Sequence, residues 1–347
     1  MHADFLLQRF QEKPEADALV WKDEVYSYQW LLERIAFWQQ ELENQKVSSG
    51  AVVVLEADFS PDATAALIAL IQQSCIVVPM TMMPEERRAE MQSVAEAEVL
   101  IALGGKGTFD VKHLSSKAGH VFYSELRKNK HPGLVLFSSG SSGESKAAVH
   151  DLSRLLRKFH TRRHDLRTMA FLLFDHIGGI DTLFYSLSNG SCLVTVDDRL
   201  PDTICMLVEK HRVEVLPVSP TFLNIMLLRE SYKKFDLSSL KYITYGAEVM
   251  PQITLKRCAE LFPNVIILQK YGTTEVGTLR SKSRSSDSLW MKIGGEGYQI
   301  RVVQGILQIK AESAMLGYLN APSPFTEDGW FDTQDAVEVD GEYLRIL

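Results

Sequence analysis

Residues 136–150 read Leu136-Phe137-Ser138-Ser139-Gly140-Ser141-Ser142-Gly143-Glu144-Ser145-Lys146-Ala147-Ala148-Val149-His150. A short apolar run, residues 133–137, leads into a loop of serine and glycine that carries one lysine. The segment after the loop is expected to be helical. A strand, a small-residue loop and a helix together present backbone N–H groups to phosphate. Glycine lets a ligand approach the backbone closely, and serine hydroxyls add donors, so the stretch predicts a phosphate-binding loop.

The position of the lysine separates this loop from a Walker A motif. That motif needs Gly-x-x-x-x-Gly-Lys-Ser/Thr, whereas Lys146 lies three residues after Gly143. Runs of serine and glycine also form flexible connections, so on pattern alone that interpretation competes with phosphate binding. The other motifs of the chain decide between the two.

The loop resembles the phosphate loop of the adenylate-forming (AMP-binding) superfamily: acyl-CoA synthetases, peptide-synthetase adenylation domains and luciferase. The usual form there is Thr-Ser-Gly-Ser/Thr-Thr-Gly-x-Pro-Lys, and here Ser145 replaces the proline. The resemblance extends over essentially the whole chain. It implies that the β- and γ-phosphates of ATP are held by Ser138, Ser139, Gly140, Ser141, Ser142, Gly143 and Lys146.

The bulk composition predicts a large core and restricts the kinds of partner. The chain has 347 residues, of which 46% are hydrophobic and 23% charged, so two or three subdomains are expected. The net charge of −7 argues against a nucleic-acid partner, whose binding surface would be basic. No apolar run has the length of a membrane span, and no signal peptide is recognisable. Four scattered cysteines indicate reduced thiols, so a cytoplasmic protein is expected.

Short β-rich runs alternate with helical periods through most of the chain. Strands are expected at residues 51–55, 76–79, 99–103, 133–137, 168–174, 192–196, 213–217, 240–244 and 265–268. Helices are expected at residues 30–42, 63–71, 85–97, 203–211, 220–228 and 251–261. This alternation predicts an α/β fold with mainly parallel sheets. After about residue 281, short strands with glycine or aspartate turns predict a small β subdomain.

With the resemblance, the expected fold class is α/β: the large N-terminal domain of the adenylate-forming fold. Two α/β subdomains with mainly parallel sheets are expected, plus a small distorted β-barrel subdomain. The first, residues 1–165, would carry the phosphate loop. The second, residues 166–285, would carry the acyl pocket and the motifs for adenine and Mg²⁺. The third, residues 286–347, would end at a hinge.

Tyr271-Gly272-Thr273-Thr274-Glu275 follows an apolar run, where α/β proteins place ligands at the carboxyl ends of strands. It resembles the family motif Tyr-Gly-x-Thr-Glu. The resemblance implies that Tyr271 packs on adenine, that Thr274 contacts the α-phosphate and that Glu275 helps to hold Mg²⁺. A hard cation prefers a carboxylate and neutralises phosphate charge. The alternative is an ordinary tight turn with an exposed glutamate.

Two further segments follow expected strands. Gly246-Ala247-Glu248 resembles the family segment that lies along the adenine and the wall of the acyl pocket. Phe174-Asp175-His176-Ile177-Gly178-Gly179 resembles the His-x-x-Gly segment, in which a histidine gates the carboxylate of the acid. A structural histidine and a plain connection are the alternatives. The substrate-pocket candidates are His176, Gly179, Ser219, Gly246 and Gly277, and the catalytic candidates are Thr274, Glu275, Lys146 and His176.

Two aspartates have separate expected roles. The stretch 329–335 resembles Gly-Trp-Phe-x-Thr-Gly-Asp, whose final aspartate accepts hydrogen bonds from both ribose hydroxyls; here that residue is Asp335. Gln334 replaces the usual glycine, which raises a question about the local backbone. Asp175 could bind a substrate ammonium if it faces the pocket, as in amino-acid-activating relatives, and is otherwise a turn or cap residue. Upstream, Gly317-Tyr318-Leu319-Asn320 matches a Gly-Tyr-x-Asn signature and is expected to be a structural turn.

The resemblance implies a ligase. An aryl, medium-chain or fatty carboxylic acid would react with ATP and Mg²⁺ to give an acyl-adenylate and pyrophosphate, and the thiol of CoA or of carrier-protein phosphopantetheine would then accept the acyl group. The protein would act mainly by alignment and charge stabilisation. The alternatives are an amino-acid-activating adenylation domain and a non-catalytic module that binds an adenylate or docks a partner.

The sequence stops at Leu347, before the hinge and the lysine-bearing C-terminal domain of the family. The expectation is therefore a truncated chain that binds ATP but forms the adenylate slowly. Pyrophosphate exchange by these 347 residues at the rate of a longer form would refute that expectation.

Overall fold

The structure is a computed structural model that describes residues 2–139 and 145–347, without the side chains of Lys106 and Ser139. The chain divides into two compact units, each discontinuous in sequence. Unit 1 comprises Met1–Asp165, Leu173–Cys192 and Ser313–Ser323. Unit 2 comprises Leu166–Leu172, Leu193–Glu312 and Pro324–Leu347. The expected division into residues 1–165, 166–285 and 286–347 stays a prediction.

Unit 1 is built on one mixed sheet. Its helices are α1 (Asp4–Glu12), α2 (Tyr28–Asn44), α3 (Pro61–Gln72), α4 (Glu85–Val94), α5 (Val121–Asn129), α6 (Leu152–Leu156) and α7 (Ile177–Ser188). Its strands are β1 (Asp17–Trp21), β2 (Glu24–Ser27), β3 (Val52–Glu56), β4 (Ile76–Met80), β5 (Val99–Leu103), β6 (Phe109–His113), β7 (Gly133–Ser139), β8 (Ser145–Asp151) and β20 (Gly317–Tyr318). The sheet order is β20-β8-β7-β4-β3-β5-β6, and β1 and β2 lie outside this sheet and pair antiparallel with each other. Its centre, β7-β4-β3-β5, is parallel, and the pairs at both edges are antiparallel.

The centre of this sheet is the core of unit 1. Strand β4 is buried throughout, and β3 is buried except at Glu56. Such near-continuous apolar strands are typical of parallel sheets covered on both faces. Helix α3 is buried over residues 61 and 63–71, and the Ser60 hydroxyl caps it by accepting from Ala63 N at 3.1 Å.

The segment after the Ser/Gly loop is a strand, so the expected helix at this point is wrong. Strand β8 pairs antiparallel with β7 on one side and with β20 on the other. Residues 147–151 are all buried, which a strand between two neighbours achieves and a one-sided amphipathic helix does not. A helix, α6, begins only at Leu152. The loop therefore connects two strands, and the helix N-terminus argument for phosphate binding does not apply to it.

Unit 2 combines a parallel sheet with an antiparallel one. Its helices are α8 (Pro201–His211), α9 (Pro220–Leu228) and α10 (Gln252–Leu261). Its strands are β9 (Thr168–Ala170), β10 (Leu193–Thr195), β11 (Val215–Val218), β12 (Tyr242–Tyr245), β13 (Ile266–Gln269), β14 (Gly272–Thr273), β15 (Gly277–Thr278), β16 (Arg280–Ser283), β17 (Met291–Gly294), β18 (Tyr298–Val303), β19 (Ile306–Ala311), β21 (Phe331–Asp340) and β22 (Tyr343–Ile346). Strands β13-β12-β11-β9-β10 are parallel in that order.

The C-terminal strands form an open sheet of order β16-β17-β22-β21-β19-β18. No closed barrel occurs among the residues that the structure describes, so the expected distorted barrel is corrected to an antiparallel sheet with two edges. One strand is also shorter than expected: β9 ends at Ala170, because only three of its residues pair with β10. The α/β class with mostly parallel pairing in the central sheets is confirmed.

Within residues 2–139 and 145–347, none of the helices is both long and apolar enough to cross a bilayer.

The carboxylate of Asp151, at the end of β8, makes the stability of unit 1 sensitive to acid. Burial raises its pKa, but hydrogen bonds from Ser153 and His131 and the charge of Arg154 outweigh burial and hold the pKa below its ordinary value. Ser153 N donates to this carboxylate at 3.0 Å, and His131 Nδ1 lies 2.8 Å from it. A carboxyl with a depressed folded-state pKa stabilises the fold above its unfolded pKa and loses that contribution as the pH falls.

The corresponding prediction concerns Asp151→Asn. Wild-type protein is expected to lose urea resistance as the pH falls below about 4, and the variant is expected to show a flatter profile over the same range. Asp110→Asn, at an exposed position of β6, controls for the loss of one negative charge. Identical slopes for wild type and Asp151→Asn in urea titrations across the pH range would contradict the prediction.

Candidate functional site

The residues that flank the Ser/Gly loop lie at the end of the β7–β8 hairpin in unit 1. Ser138 is opposite Lys146, and Ser139 is opposite Ser145. The loop candidates Gly140, Ser141, Ser142 and Gly143 and the side chain of Ser139 lie outside the described residues. Lys146 Nζ is 5.6 Å from the ring centroid of Tyr318 on β20. The hairpin thus places the positively charged side chain of Lys146 in the first residues of β8 after the loop.

The His176 segment also belongs to unit 1. His176 is the N-cap residue of α7, and its side chain is 62% exposed, so the imidazole is open to a ligand or to solvent. Gly179 is buried in the first turn of the same helix. The gating role of His176 stays a prediction, and so does the pocket role of Gly179.

Asp175 is tied to the end of β4. One carboxylate oxygen, Oδ2, accepts from Thr81 N at 3.2 Å and from Thr81 Oγ1 at 2.7 Å. The other oxygen, Oδ1, is buried and has no hydrogen-bond partner in the structure, and His176 Nε2 is 3.9 Å away. A buried carboxylate oxygen without a donor is costly unless something binds it. No local pattern identified Thr81, because 94 residues separate it from Asp175.

In unit 2 the first candidates lie where β12 and β13 end. These parallel strands pair up to Tyr245 and Gln269, and Lys270 N then donates to Tyr245 O at 2.7 Å. A Cβ on Gly246 would lie 2.8 Å from Lys270 O, so only glycine lets the two backbones run this close. Ala247 has a φ of 67°, a left-handed conformation that turns the chain at the strand end. The segment 246–247 and Tyr271 are therefore neighbours.

Tyr271 and Asp335 meet directly. The tyrosine hydroxyl donates to Asp335 Oδ2 at 2.5 Å. Burial and this hydrogen bond raise the pKa of Tyr271 well above its ordinary value, so the phenol stays a donor. Gln334 has a φ of 61°, which answers the question raised by the missing glycine: glutamine adopts the left-handed conformation itself. Asp335 N donates to Thr333 Oγ1 at 3.1 Å, which stabilises the irregularity of β21 at Gln334.

The residues after Tyr271 form a narrow hairpin. Gly272 and Thr273 of β14 pair with β15, which leaves Thr274 and Glu275 half-buried in the connecting turn. The Thr273 hydroxyl is buried without a hydrogen-bond partner in the structure. A Cβ on Gly272 would lie 2.8 Å from Thr278 Cα, so glycine is required for the close pairing. The turn of this hairpin therefore carries Thr274 and Glu275 as consecutive residues.

Glu248 and Ser219 have partners at the start of α9. The Glu248 carboxylate accepts from Thr221 N at 3.1 Å and from Thr221 Oγ1 at 2.5 Å. The Ser219 hydroxyl accepts from Phe222 N at 3.2 Å, which is an N-cap. Both contacts fix the helix to the strand ends. The adenine-binding role of Glu248 and the pocket roles of Ser219 and Gly277 stay predictions.

The Mg²⁺ site that the sequence predicts has one protein ligand, Glu275. No cluster of three or more His, Cys, Asp or Glu side chains able to hold a metal occurs in the part of the chain that the structure describes. Mg²⁺ is usually bound by one or two carboxylates together with phosphate oxygens and water, and does not need a cage built only of protein ligands. One carboxylate such as that of Glu275 is compatible with such a site, and its role as a metal ligand stays a prediction.

Each unit therefore has its own group of candidates. Unit 1 brings together Ser138 and Lys146 at the hairpin and has Asp175 and His176 before α7. Unit 2 brings together Gly246, Ala247, Tyr271–Glu275 and Asp335 at the carboxyl ends of β12 and β13. Carboxyl ends of parallel strands are where α/β proteins bind ligands.

Comparison with known proteins agrees with these motifs. The profile of the family described as AMP-binding enzyme matches residues 6–303. Indoleacetate–CoA ligase of Aromatoleum aromaticum is 25% identical over 241 residues, which are 62% of this chain and 47% of the ligase. A plipastatin synthase polypeptide of Bacillus subtilis is 26% identical over 289 residues, 76% of this chain and 11% of the synthase polypeptide. The chain thus matches half or less of the length of these relatives.

Solved structures share the fold. The N-terminal subdomain of Klebsiella oxytoca NpsA in complex with 3-hydroxyanthranilyl-AMSN has a TM-score of 0.79 at 16% identity, over 99% of this chain and 98% of that one. The N-terminal domain of FACL13 from Mycobacterium tuberculosis has a TM-score of 0.77 at 18% identity, over 100% and 98%. The profile match covers well over half of the sequence, and on that evidence the chain belongs to the AMP-binding enzyme family.

Proposed function

We propose that this chain activates a carboxylic acid with ATP. An oxygen of the acid attacks the α-phosphorus, the bond from that phosphorus to the bridging oxygen breaks, and pyrophosphate leaves. The thiol of CoA or of a carrier-protein phosphopantetheine then attacks the acyl carbon, and AMP leaves. The observation that supports the proposal best is the Tyr271–Asp335 hydrogen bond, because it joins two family motifs at the strand ends.

The residues have distinct roles in this proposal. Asp335 accepts hydrogen bonds from the ribose hydroxyls through its free lone pairs, and Tyr271 holds that carboxylate in place. The segment 246–247 receives the flat adenine ring. Thr274 donates to the α-phosphate, and Lys146 neutralises the outer phosphates. Mg²⁺, when bound, supplies positive charge against the phosphates, with Glu275 as its protein ligand.

The proposed substrate is an aryl or medium-chain to fatty acid. The relatives include one ligase named for indoleacetate and three named for 4-coumarate, and these aromatic acids favour an aryl group. His176 would stand at the carboxylate end of the acid and Gly179 would leave space beside it.

A specific observation favours an amino acid as the second candidate substrate. Among the described residues, nothing hydrogen-bonds the buried Asp175 Oδ1, and a substrate ammonium would supply a donor and an opposite charge. Under this alternative, Asp175→Asn abolishes binding of aminoacyl-adenylate mimics. Under the aryl or fatty proposal, the same variant leaves binding of the acyl mimic nearly unchanged.

The test is a thermal-shift panel with non-hydrolysable acyl-adenylate mimics. Aryl, short-chain, long-chain and aminoacyl mimics are compared with AMP and with ATP·Mg²⁺. A ligand that binds the folded state raises the melting temperature by mass action. One acyl class that shifts well above AMP would support the proposal and name the substrate class. Absence of any shift with every nucleotide would overturn the proposal. Binding without pyrophosphate exchange would favour the non-catalytic module.

Glu275→Gln gives a prediction specific to the metal. The amide keeps the size of the side chain but lacks the charge, so affinity for ATP in the presence of Mg²⁺ is expected to fall about tenfold. Affinity for AMP, and for ATP without Mg²⁺, is expected to change little. Titration calorimetry with and without Mg²⁺ measures the difference. Glu296→Gln, in an exposed turn of unit 2, is the matched control. An equal loss in both conditions would contradict a metal role.

A further inference from the structure

A third strand supports the exit from the Ser/Gly loop. Strand β20 pairs antiparallel with β8, with Tyr318 opposite Ala148, and Leu319 N donates to Ala147 O at 2.9 Å. The backbone ladder ends at that bond. Residues 145–147, which include Lys146, are the part of β8 nearest to the loop.

The side chain of Asn320 continues the pairing where the backbone stops. Its Oδ1 accepts from Ala147 N at 3.0 Å, and its Nδ2 donates to Ser145 O at 2.9 Å. Lys146 lies between these two residues, and its backbone is opposite Ser138 of β7 on the other edge. The carboxamide thus uses both its donor and its acceptor to hold the residues on either side of Lys146.

Tyr318 acts on the lysine side chain. The ammonium of Lys146 lies 5.6 Å from the centroid of the Tyr318 ring, within the range of a cation–π contact. Tyr318 is 8% exposed, so its ring is a fixed surface and not a mobile neighbour. The backbone and the ammonium of Lys146 are therefore both held by residues 318–320.

We propose that Asn320 is a positioning residue for the outer phosphates of ATP, with Tyr318 as its partner. Asn320 fixes the backbone of residues 145–147, and Tyr318 directs the ammonium of Lys146, so that the cation is preorganised before ATP binds. This inference rests on the proposed function. It goes further because it gives the Gly-Tyr-x-Asn segment a role in positioning Lys146, whereas the sequence alone predicted a structural turn.

The experiment compares ATP·Mg²⁺ with AMP, which lacks the β- and γ-phosphates. Asn320→Ala is expected to weaken ATP·Mg²⁺ about tenfold, because Ala147 N loses its acceptor and Lys146 its fixed backbone. AMP affinity is expected to stay at the wild-type value. Tyr318→Leu should act in the same direction and Tyr318→Phe should not, since phenylalanine keeps the aromatic face. Asn129→Ala, at the exposed end of α5, is the matched control.

A double-mutant cycle tests whether Asn320 acts through the lysine. Lys146→Ala and Lys146→Ala with Asn320→Ala should bind ATP·Mg²⁺ equally weakly, because the second change has nothing left to position. Additive losses would overturn the proposal, and so would an equal loss for AMP and ATP or no loss for either. If the wild-type chain binds neither nucleotide, the proposed function itself fails. That outcome is recognised without any variant.

Discussion

Asp335→Ala is expected to weaken binding of an acyl-adenylate mimic by about a hundredfold. Two ribose hydroxyls donate to one carboxylate in the proposed site, and hydrogen bonds to a charged group contribute about 1.5–3 kcal/mol each. Asp335 is held by the Tyr271 hydroxyl at 2.5 Å and follows the left-handed residue Gln334 within β21, so the carboxylate is already placed in the free protein. Titration calorimetry with the mimic measures the loss.

The ligand itself provides the sharpest control for this prediction. A 2′,3′-dideoxy form of AMP lacks both hydroxyls, so wild type and Asp335→Ala should bind it equally. Tyr271→Phe keeps the ring and removes only the donor, and it should give a smaller loss that also vanishes with the dideoxy ligand. Asp340→Ala, a 62% exposed member of a surface ion pair on the same strand, controls for charge. A hundredfold loss that persists with the dideoxy ligand would contradict the ribose role.

Phe174→Ala is expected to cost about 3–5 kcal/mol of unfolding free energy. Phe174 is fully buried in unit 1, and its ring meets Phe59 edge to face at a centroid distance of 5.2 Å. Removal of the ring leaves a cavity next to the segment that carries Asp175 and His176. The acyl-adenylate mimic should therefore lose affinity as well, because the segment before α7 loses its anchor. Urea denaturation followed by circular dichroism measures the stability.

Phe37→Ala serves as the comparison for Phe174. Phe37 lies on α2 of the same unit and is 38% exposed, so its truncation removes less buried area and leaves no closed cavity. A loss well below that of Phe174→Ala is expected, with no change in affinity for the mimic. Equal losses for the two variants would show that Phe174 does not anchor the segment more strongly than a surface aromatic does.

Much of the fold follows from local patterns. The apolar runs of β3 and β4 predicted buried parallel strands, and the period of α2 predicted its position to within a few residues. The error at β8 has a physical reason. Residues 145–151 have no strong strand composition, and they form a strand because β7 and β20 pair with both of their edges. One of those neighbours comes from a segment about 170 residues further along the chain, which no local window contains.

The candidate site likewise combines features that local motifs predict with contacts that only the folded chain creates. The motifs predicted Tyr271–Glu275 and Asp335 as candidates, and the structure joins Tyr271 and Asp335 by a hydrogen bond, whereas their roles toward a ligand stay predictions. The left-handed conformation of Gln334 could not be predicted, because residues other than glycine seldom adopt it. The contacts of Glu248 with Thr221 and of Asp175 with Thr81 were not recognisable either, since each joins residues far apart in the chain.

The sequence by itself determined the family and the order of most strands and helices, and it singled out the candidate residues of the motifs. Only the tertiary structure decided that β8 is a strand, that Tyr271 bonds Asp335 across 64 residues, and that Asn320 pairs with the loop exit. The physical reason is the range of the interactions. Hydrophobic period and turn chemistry act within a few residues, whereas strand pairing and side-chain hydrogen bonds depend on which distant segments the folded sheet brings together.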